Sequence, residues 1–363
     1  MAKKIICCVT NDLTTDQRML RICSTLADAG YSVTLVGRKL KNSAPLAERN
    51  FAQKRLNCVF TKGKLFYIEY NLRLLIWLLF QKADAVCAID LDTIVPSYFS
   101  AKLKNQKLIY DAHEYFPFVP EVIDRPFTHK IWLWVEKTFL PKADLIYTVS
   151  NSIAKQFEKQ YKKTVFLIRN IPFKKELEIV EKTEKILLYQ GAVNEGRGLE
   201  QLLLAMRQIP HKLYIFGDGD VKQKLEQLVE KYDLQMRVIF KGKVSPEVLW
   251  QETTKAYIGI NLLENKGLSY WFSLPNKLFD YIQAGIPQLI MNFPDQVALN
   301  DQKPFGIALE NLEEETIIHA INELLNNSEL YAKLQNNCVA LAAELTWENE
   351  SKTLLSLYEK LFR

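Results

Sequence analysis

Glycine and proline are scarce, at 13 each in 363 residues, too few for long structureless connections or a low-complexity chain. The six cysteines (Cys7, Cys8, Cys23, Cys58, Cys87, Cys338) are scattered through mostly apolar runs, and no two have C-x-x-C spacing. That excludes a disulfide framework, a zinc knuckle and a redox motif, and implies buried free thiols in a reducing cytoplasm. Long hydrophobic runs are missing as well. The longest, residues 72–80, contains Arg73 and is far short of the ~20 residues a spanning helix needs. The apolar run behind Met1-Ala2-Lys3-Lys4 ends at Thr10-Asn11-Asp12, too early for a secretory signal. What remains is an ordinary globular composition, 48% hydrophobic and 25% charged, at a length that suits two domains.

Charge is unevenly placed. Residues 1–175 hold 28 Lys and Arg against 15 Asp and Glu, and residues 176–363 hold 19 against 27. The densest basic stretch, residues 38–64, has eight basic side chains and Glu48 alone, with Phe51, Leu56 and Phe60 interleaved and Leu65 and Phe66 just beyond. Such a surface suits an anionic partner, here an anionic membrane face. No zinc, homeodomain or RNP signature is present, so nucleic acid is not expected.

Short apolar runs at 4–9, 31–36, 85–89, 108–110, 145–149 and 165–168 read as buried strands, with helical spacing between them, as over 15–29. A polar, Lys/Glu-rich segment follows, and the alternation then restarts with strands near 186–190, 212–216, 237–240, 257–261 and 287–291. This predicts an α/β protein of two doubly wound, Rossmann-like domains facing across a cleft, with ligands at the strand C-terminal ends. The expected division is a first domain over 1–170, a linker over 171–184, a second domain over 185–345, and a C-terminal helix over 346–363 returning to the first domain.

Specific motifs then occur in order. They are Asp16-Gln17-Arg18 with Arg21, Tyr110-Asp111-Ala112-His113-Glu114, and Ala143-Asp144 through Ser150. Ile168-Arg169-Asn170-Ile171-Pro172, Gln190-Gly191 with Gly196-Arg197-Gly198, and Phe216-Gly217-Asp218-Gly219 follow. Phe240-Lys241-Gly242-Lys243-Val244, Ser273-Leu274-Pro275-Asn276-Lys277-Leu278-Phe279-Asp280-Tyr281 and Gly285-Ile286-Pro287 complete the series. Together they resemble the GT-B glycosyltransferases of family 4 (glycosyl transferases group 1) over nearly the whole chain. The resemblance implies a retaining, metal-independent transfer of a sugar from a nucleoside diphosphate donor to a glycan or lipid-linked acceptor in cell-surface polysaccharide assembly. It implies a front-face route with no strong protein nucleophile, no cofactor and no metal, and a cytoplasmic or peripherally membrane-bound enzyme on the inner face. It also implies that the first domain is the acceptor side and that the second binds the nucleotide-sugar. The sequence departs from the family pattern in places. Arg197 stands where Lys is usual, Ala192 where Arg is frequent, and Phe272 where the first acid of the E-x7-E pair would be, Asp280 being the second.

A breaking glycosidic bond loads negative charge onto the diphosphate, which calls for cations or oriented N–H dipoles. Arg197 and Lys277 supply the former, and the helix expected from Pro275-Asn276 supplies the latter. The full expected donor set is Gly191, Arg197, Gly217, Lys243, Val244, Pro275, Asn276, Lys277, Leu278 and Asp280, with Asp280 on the ribose and catalytic together with His113. A neutral His113 imidazole would hydrogen-bond a sugar hydroxyl. Asn11, Asp12, Asp92 and Glu114 are expected on the acceptor side. Asp90-Leu91-Asp92 also looks like the metal-binding Asp-x-Asp of the GT-A fold, but a second α/β unit argues against it. Gly217-Asp218-Gly219 lacks the third glycine of a dinucleotide fingerprint. Two other readings remain, a GT-B sugar-nucleotide epimerase and a pseudo-transferase or assembly partner without donor chemistry.

Overall fold

The computed structural model describes residues 2–14, 16–176, 182 and 184–363. Thr15 of the expected helix, and 177–181 and 183 of the expected linker, lie outside the described residues. The chain forms two compact units, Met1–Asn170 with Glu350–Arg363, and Ile171–Asn349.

In the first unit, strands β1 (Lys4–Cys8), β2 (Ser32–Lys39), β3 (Ala52–Asn57), β4 (Ala85–Ile89), β5 (Lys107–Ala112), β6 (Leu145–Thr148) and β7 (Phe166–Leu167) form one parallel sheet. Its order is β3-β2-β1-β4-β5-β6-β7. All five residues of β4 are buried, as a strand covered on both faces requires. Helix α1 (Gln17–Asp28) starts where the Asp16 side chain accepts the Met19 amide at 3.0 Å. Helix α2 (Gly63–Phe80) lays Phe66, Tyr70, Leu74 and Leu78 on Ile6, Val36 and Val86 of the sheet. Helix α3 (Ile94–Lys104) packs on α2, and helix α4 (Pro126–Phe139) packs on α3.

The second unit repeats the plan. Strands β8 (Leu187–Gln190), β9 (Leu213–Phe216), β10 (Val238–Gly242), β11 (Ile258–Ile260), β12 (Gln288–Met291) and β13 (Gly306–Leu309) are parallel in the order β10-β9-β8-β11-β12-β13. Helix α5 (Asn276–Gln283) buries Leu278, Phe279 and Ile282 beside Ile290 of β12. Strand order reverses at β1/β4 in one sheet and at β8/β11 in the other, and ligands of open α/β sheets sit at such switch points. The final helix, α6 (Trp347–Phe362), adds its later residues to the first unit. There the Tyr358 hydroxyl lies 3.2 Å from that of Tyr147, and Glu350 pairs with Arg169 at 2.7 Å.

Two parts of the sequence reading are corrected. The basic stretch 38–64 is only in part the surface of interleaved basic and apolar side chains that was expected, with Phe60 and the adjoining Leu65 exposed. It contains the edge strand β3, and Phe51, Leu56 and Phe66 are buried. Arg38 stacks on the Phe66 ring at 4.2 Å, and Arg55 donates to the carbonyls of Asp12 and Ala44. Pro275 does not open the first turn of α5. It stands at the N-cap in extended backbone.

Candidate functional site

In the second unit a cavity of about 410 Å³ opens between the loop after β8 and the start of α5. Gly191, Arg197, Pro275, Asn276, Lys277 and Asp280 line it, together with Tyr189, Gln190, Ala192 and Leu249. The structure therefore gathers six of the ten expected donor residues. Gly217 abuts them, because its φ of +135° and its approach to Gly191 leave no room for a side chain. A Cβ there would stand 1.8 Å from the Gly191 carbonyl oxygen. The other three do not line the cavity. Leu278 is fully buried in the core and its amide donates to the Pro275 carbonyl at 3.0 Å, while Lys243 and Val244 are exposed beyond the end of β10.

Two basic side chains, Arg197 and Lys277, line the cavity beside the Asp280 carboxylate. Lys277 Nζ is buried, has no hydrogen-bond partner among the described residues, and lies 3.6 Å from the centre of the Tyr189 ring. Burial, and then the charge of Arg197, hold its pKa well below the usual lysine range. Arg197, carried between Gly196 and Gly198 with φ of +79° and +66°, rests over Tyr270 at 5.1 Å, its buried Nε unpartnered among the described residues. No ion pair joins Lys277 to Asp280 among the described residues. Asp280 Oδ2 instead accepts Gln190 Nε2 at 2.8 Å, and Gln190 Oε1 accepts the Thr253 hydroxyl at 2.9 Å.

The sequence reading missed Gln190, a polar residue closing an otherwise apolar strand. Tyr281 was missed also. Its buried hydroxyl accepts the Gln190 amide and lies 3.0 Å from the Leu188 carbonyl, pinning α5 to β8. Phe272, where the first acid of the pair would stand, is buried.

The first unit holds a second polar cluster at its own switch point. Asp111, fully buried at the end of β5, accepts Arg18 Nη2 at 2.8 Å and lies 3.2 Å from His113 Nε2. Burial alone would raise the Asp111 pKa, but Arg18 and His113 hold it below the usual range. Burial opposes charge on His113, yet Asp111 outweighs it and lifts the pKa to about 9. The neutral imidazole expected from the sequence is thus corrected to an imidazolium at neutral pH. Arg18, of the first motif, is the buried ion-pair partner of Asp111.

The His113 amide donates to Asp90 Oδ1 at 2.9 Å, and Asp90 sits in the left-handed region at φ +55°. Asp90 is raised well above the carboxylate range by burial. Asp92 is raised by burial to about 6 and accepts the Thr10 hydroxyl at 2.6 Å. Glu114 follows His113 and adds to the field on Asp90. Asn11 and Asp12 brace their own loop. Asn11 bridges the Leu13 amide and Asp16, and Asp12 accepts from Thr14.

Both halves match known family models, residues 16–170 that of Glycosyltransferase Family 4 and residues 170–339 that of Glycosyl transferases group 1. Among curated proteins, an uncharacterized glycosyltransferase of Methanocaldococcus jannaschii is 22% identical over 241 residues, 56% of this chain and 57% of that protein. The chitobiosyldiphosphodolichol beta-mannosyltransferase of Candida albicans is 22% identical over 330 residues, 82% of this chain and 71% of that protein. The chain thus spans little more than half the length of the archaeal relative. Among solved structures, sucrose-phosphate synthase from Thermosynechococcus elongatus superposes with a TM-score of 0.84 at 19% identity, covering 99% of each chain.

Proposed function

We propose, from the premise that the chain belongs to the GT-B glycosyltransferases of the family 4 kind, that it transfers a sugar from a nucleoside diphosphate donor to a glycan or lipid-linked acceptor. Transfer proceeds with retention and without a metal ion. The observation that carries this reading is the pair Arg197 and Lys277, two basic side chains facing one cavity, with Lys277 Nζ unpartnered among the described residues. A diphosphate there would receive both, along with the N-terminal end of α5. Charge building on the leaving group would meet donors already in place, which lowers the barrier without reorganisation. Asp280, oriented by Gln190, accepts hydrogen bonds from the ribose hydroxyls. His113, held charged by Asp111, donates to a sugar hydroxyl.

One observation favours the pseudo-transferase alternative, the buried Phe272 in place of the first acid. The deciding experiment incubates the protein with UDP- and GDP-sugars and an acceptor extract in excess EDTA. Proton NMR then reads the anomeric configuration of the product. A product with the donor's configuration supports the reading. An inverted product, or activity only after Mg²⁺ or Mn²⁺ is added, rejects its mechanism. Nucleotide binding with no turnover of any donor supports the pseudo-transferase.

A further inference from the structure

Helix α2 is apolar on both of its faces. Phe66, Tyr70, Leu74 and Leu78 point into the core and are buried. Leu65, Ile68, Leu72, Ile76 and Leu79 recur three and four residues apart on the opposite side and are between 39% and 65% exposed. A surface helix ordinarily presents polar residues there. The patch continues onto α4 through Phe127, Ile131 and Trp134, also exposed. Of the 18 exposed large hydrophobic residues among the described ones, 11 lie on α2, α3 and α4. The edge-on pair Tyr67 and Trp132, 5.6 Å apart, joins α2 to α4 beside an apolar groove of about 650 Å³ rimmed by Lys64 and Arg125. Contiguous apolar surface on this scale marks an interaction site.

Charge on the three helices of the patch is mostly of one sign. The three helices carry Lys64, Arg73, Lys102, Lys104, Lys130 and Lys137 against two acids. Glu69 is held by Arg73 and the amides of Val59 and Phe60, and Glu136 is buried against Tyr161. Exposed Lys62 and Lys82 flank the two ends of α2. A second copy of this face would bring like charges together. An anionic bilayer takes both its components, acyl chains for the stripe and headgroups for the rim.

We infer that the outer face of α2, with the adjoining face of α4, docks on an anionic membrane, α2 lying in the plane of the interface. At 18 residues the helix is about 27 Å long. No described helix is long and apolar enough to cross a membrane. Of the basic stretch 38–64 this keeps Lys62 and Lys64 at the start of α2, while Phe51 and Leu56 are buried, and it does not depend on the chemistry of the second unit.

Co-sedimentation of the full chain with vesicles tests it. The wild type pellets with phosphatidylglycerol-containing vesicles at low salt and stays in solution with pure phosphatidylcholine. The triple variant Ile68→Gln, Leu72→Gln, Ile76→Gln loses tenfold or more in partitioning, with circular dichroism and nucleoside diphosphate binding unchanged. A second variant, Lys62→Glu, Lys64→Glu, Lys82→Glu, leaves the apolar stripe intact and also loses binding to anionic vesicles, which decides the matter should the glutamine variant not fold. Four results overturn the inference: no pelleting of the wild type, equal pelleting on both vesicles, pelleting of both variants like the wild type, or a wild-type dimer that the glutamine variant converts to monomer without vesicle binding. Loss of vesicle binding with nucleotide binding intact separates this inference from the donor-site reading.

Discussion

Lys277 Nζ lies 3.6 Å from the centre of the Tyr189 ring, buried and without a hydrogen-bond partner among the described residues. A lysine in that setting meets a π-face but no anion, and Arg197 beside it makes its charge costlier still. The donor reading rests on this relationship.

Arg197→Ala and Lys277→Ala should each weaken nucleoside diphosphate binding tenfold or more, since a hydrogen bond to a charged group contributes about 1.5–3 kcal/mol. Tm should hardly move, because neither side chain has an ion-pair partner to lose among the described residues. Calorimetric titration with UDP and GDP reads the effect, and unchanged affinity in both variants contradicts the assignment.

Binding should also take up protons. In the free protein Lys277 titrates well below the ordinary value of 10.5, so between those two values it is neutral. A bound diphosphate favours the charged form and raises the pKa, so a proton enters with the ligand. Titrations in buffers of different ionisation enthalpy should give net uptake in the wild type and less in Lys277→Met. Equal uptake in both would remove Lys277 from the site.

The Arg18, Asp111 and His113 cluster should give stability a downward slope with pH. His113 titrates at about 9 in the fold against an ordinary 6.5. Its charge therefore contributes stability that is fully present below pH 6.5 and lost as pH rises through about 9. His113→Gln should flatten that slope in urea unfolding followed from pH 6 to 10. Asp111→Asn should cost about 3–5 kcal/mol by leaving Arg18 buried and unpaired, and should return the His113 resonance to a lower pKa.

The alternation of strands and helices was legible because covered strands are apolar runs, as in β4. The edges were not. β3 reads AQKRLN and pairs only with β2, so nothing selects apolar residues along it, and β13 is a four-residue edge. The cavity beside β8 was legible at Gly191, Arg197 and the start of α5, where basic side chains and a helix start suit an anion. The role of Arg18 was hidden, because its partner Asp111 stands 93 residues away and an arginine in the first turn of a helix looks solvated. The outer stripe of α2 was hidden in the same way. Its residues are apolar all round, and only the sheet decides which face is core.

Gly217→Ala should be severely destabilising, by roughly 3 kcal/mol or more. Its Cβ would meet the Gly191 carbonyl oxygen, with φ at +135°. Thermal melts with and without UDP check it. A Tm near wild type would mean that the two loops part easily, and that the cavity floor is looser than described.

The central claim is that Arg197 and Lys277 hold the donor's diphosphate. A crystal structure of the protein soaked with its nucleoside diphosphate donor in EDTA tests it most directly. The account predicts phosphate oxygens within about 3 Å of Lys277 Nζ and of the Arg197 guanidinium, with the ribose on Asp280 and no metal density between the phosphates. Diphosphate density away from both side chains, or bridged to the protein through a cation, would contradict it.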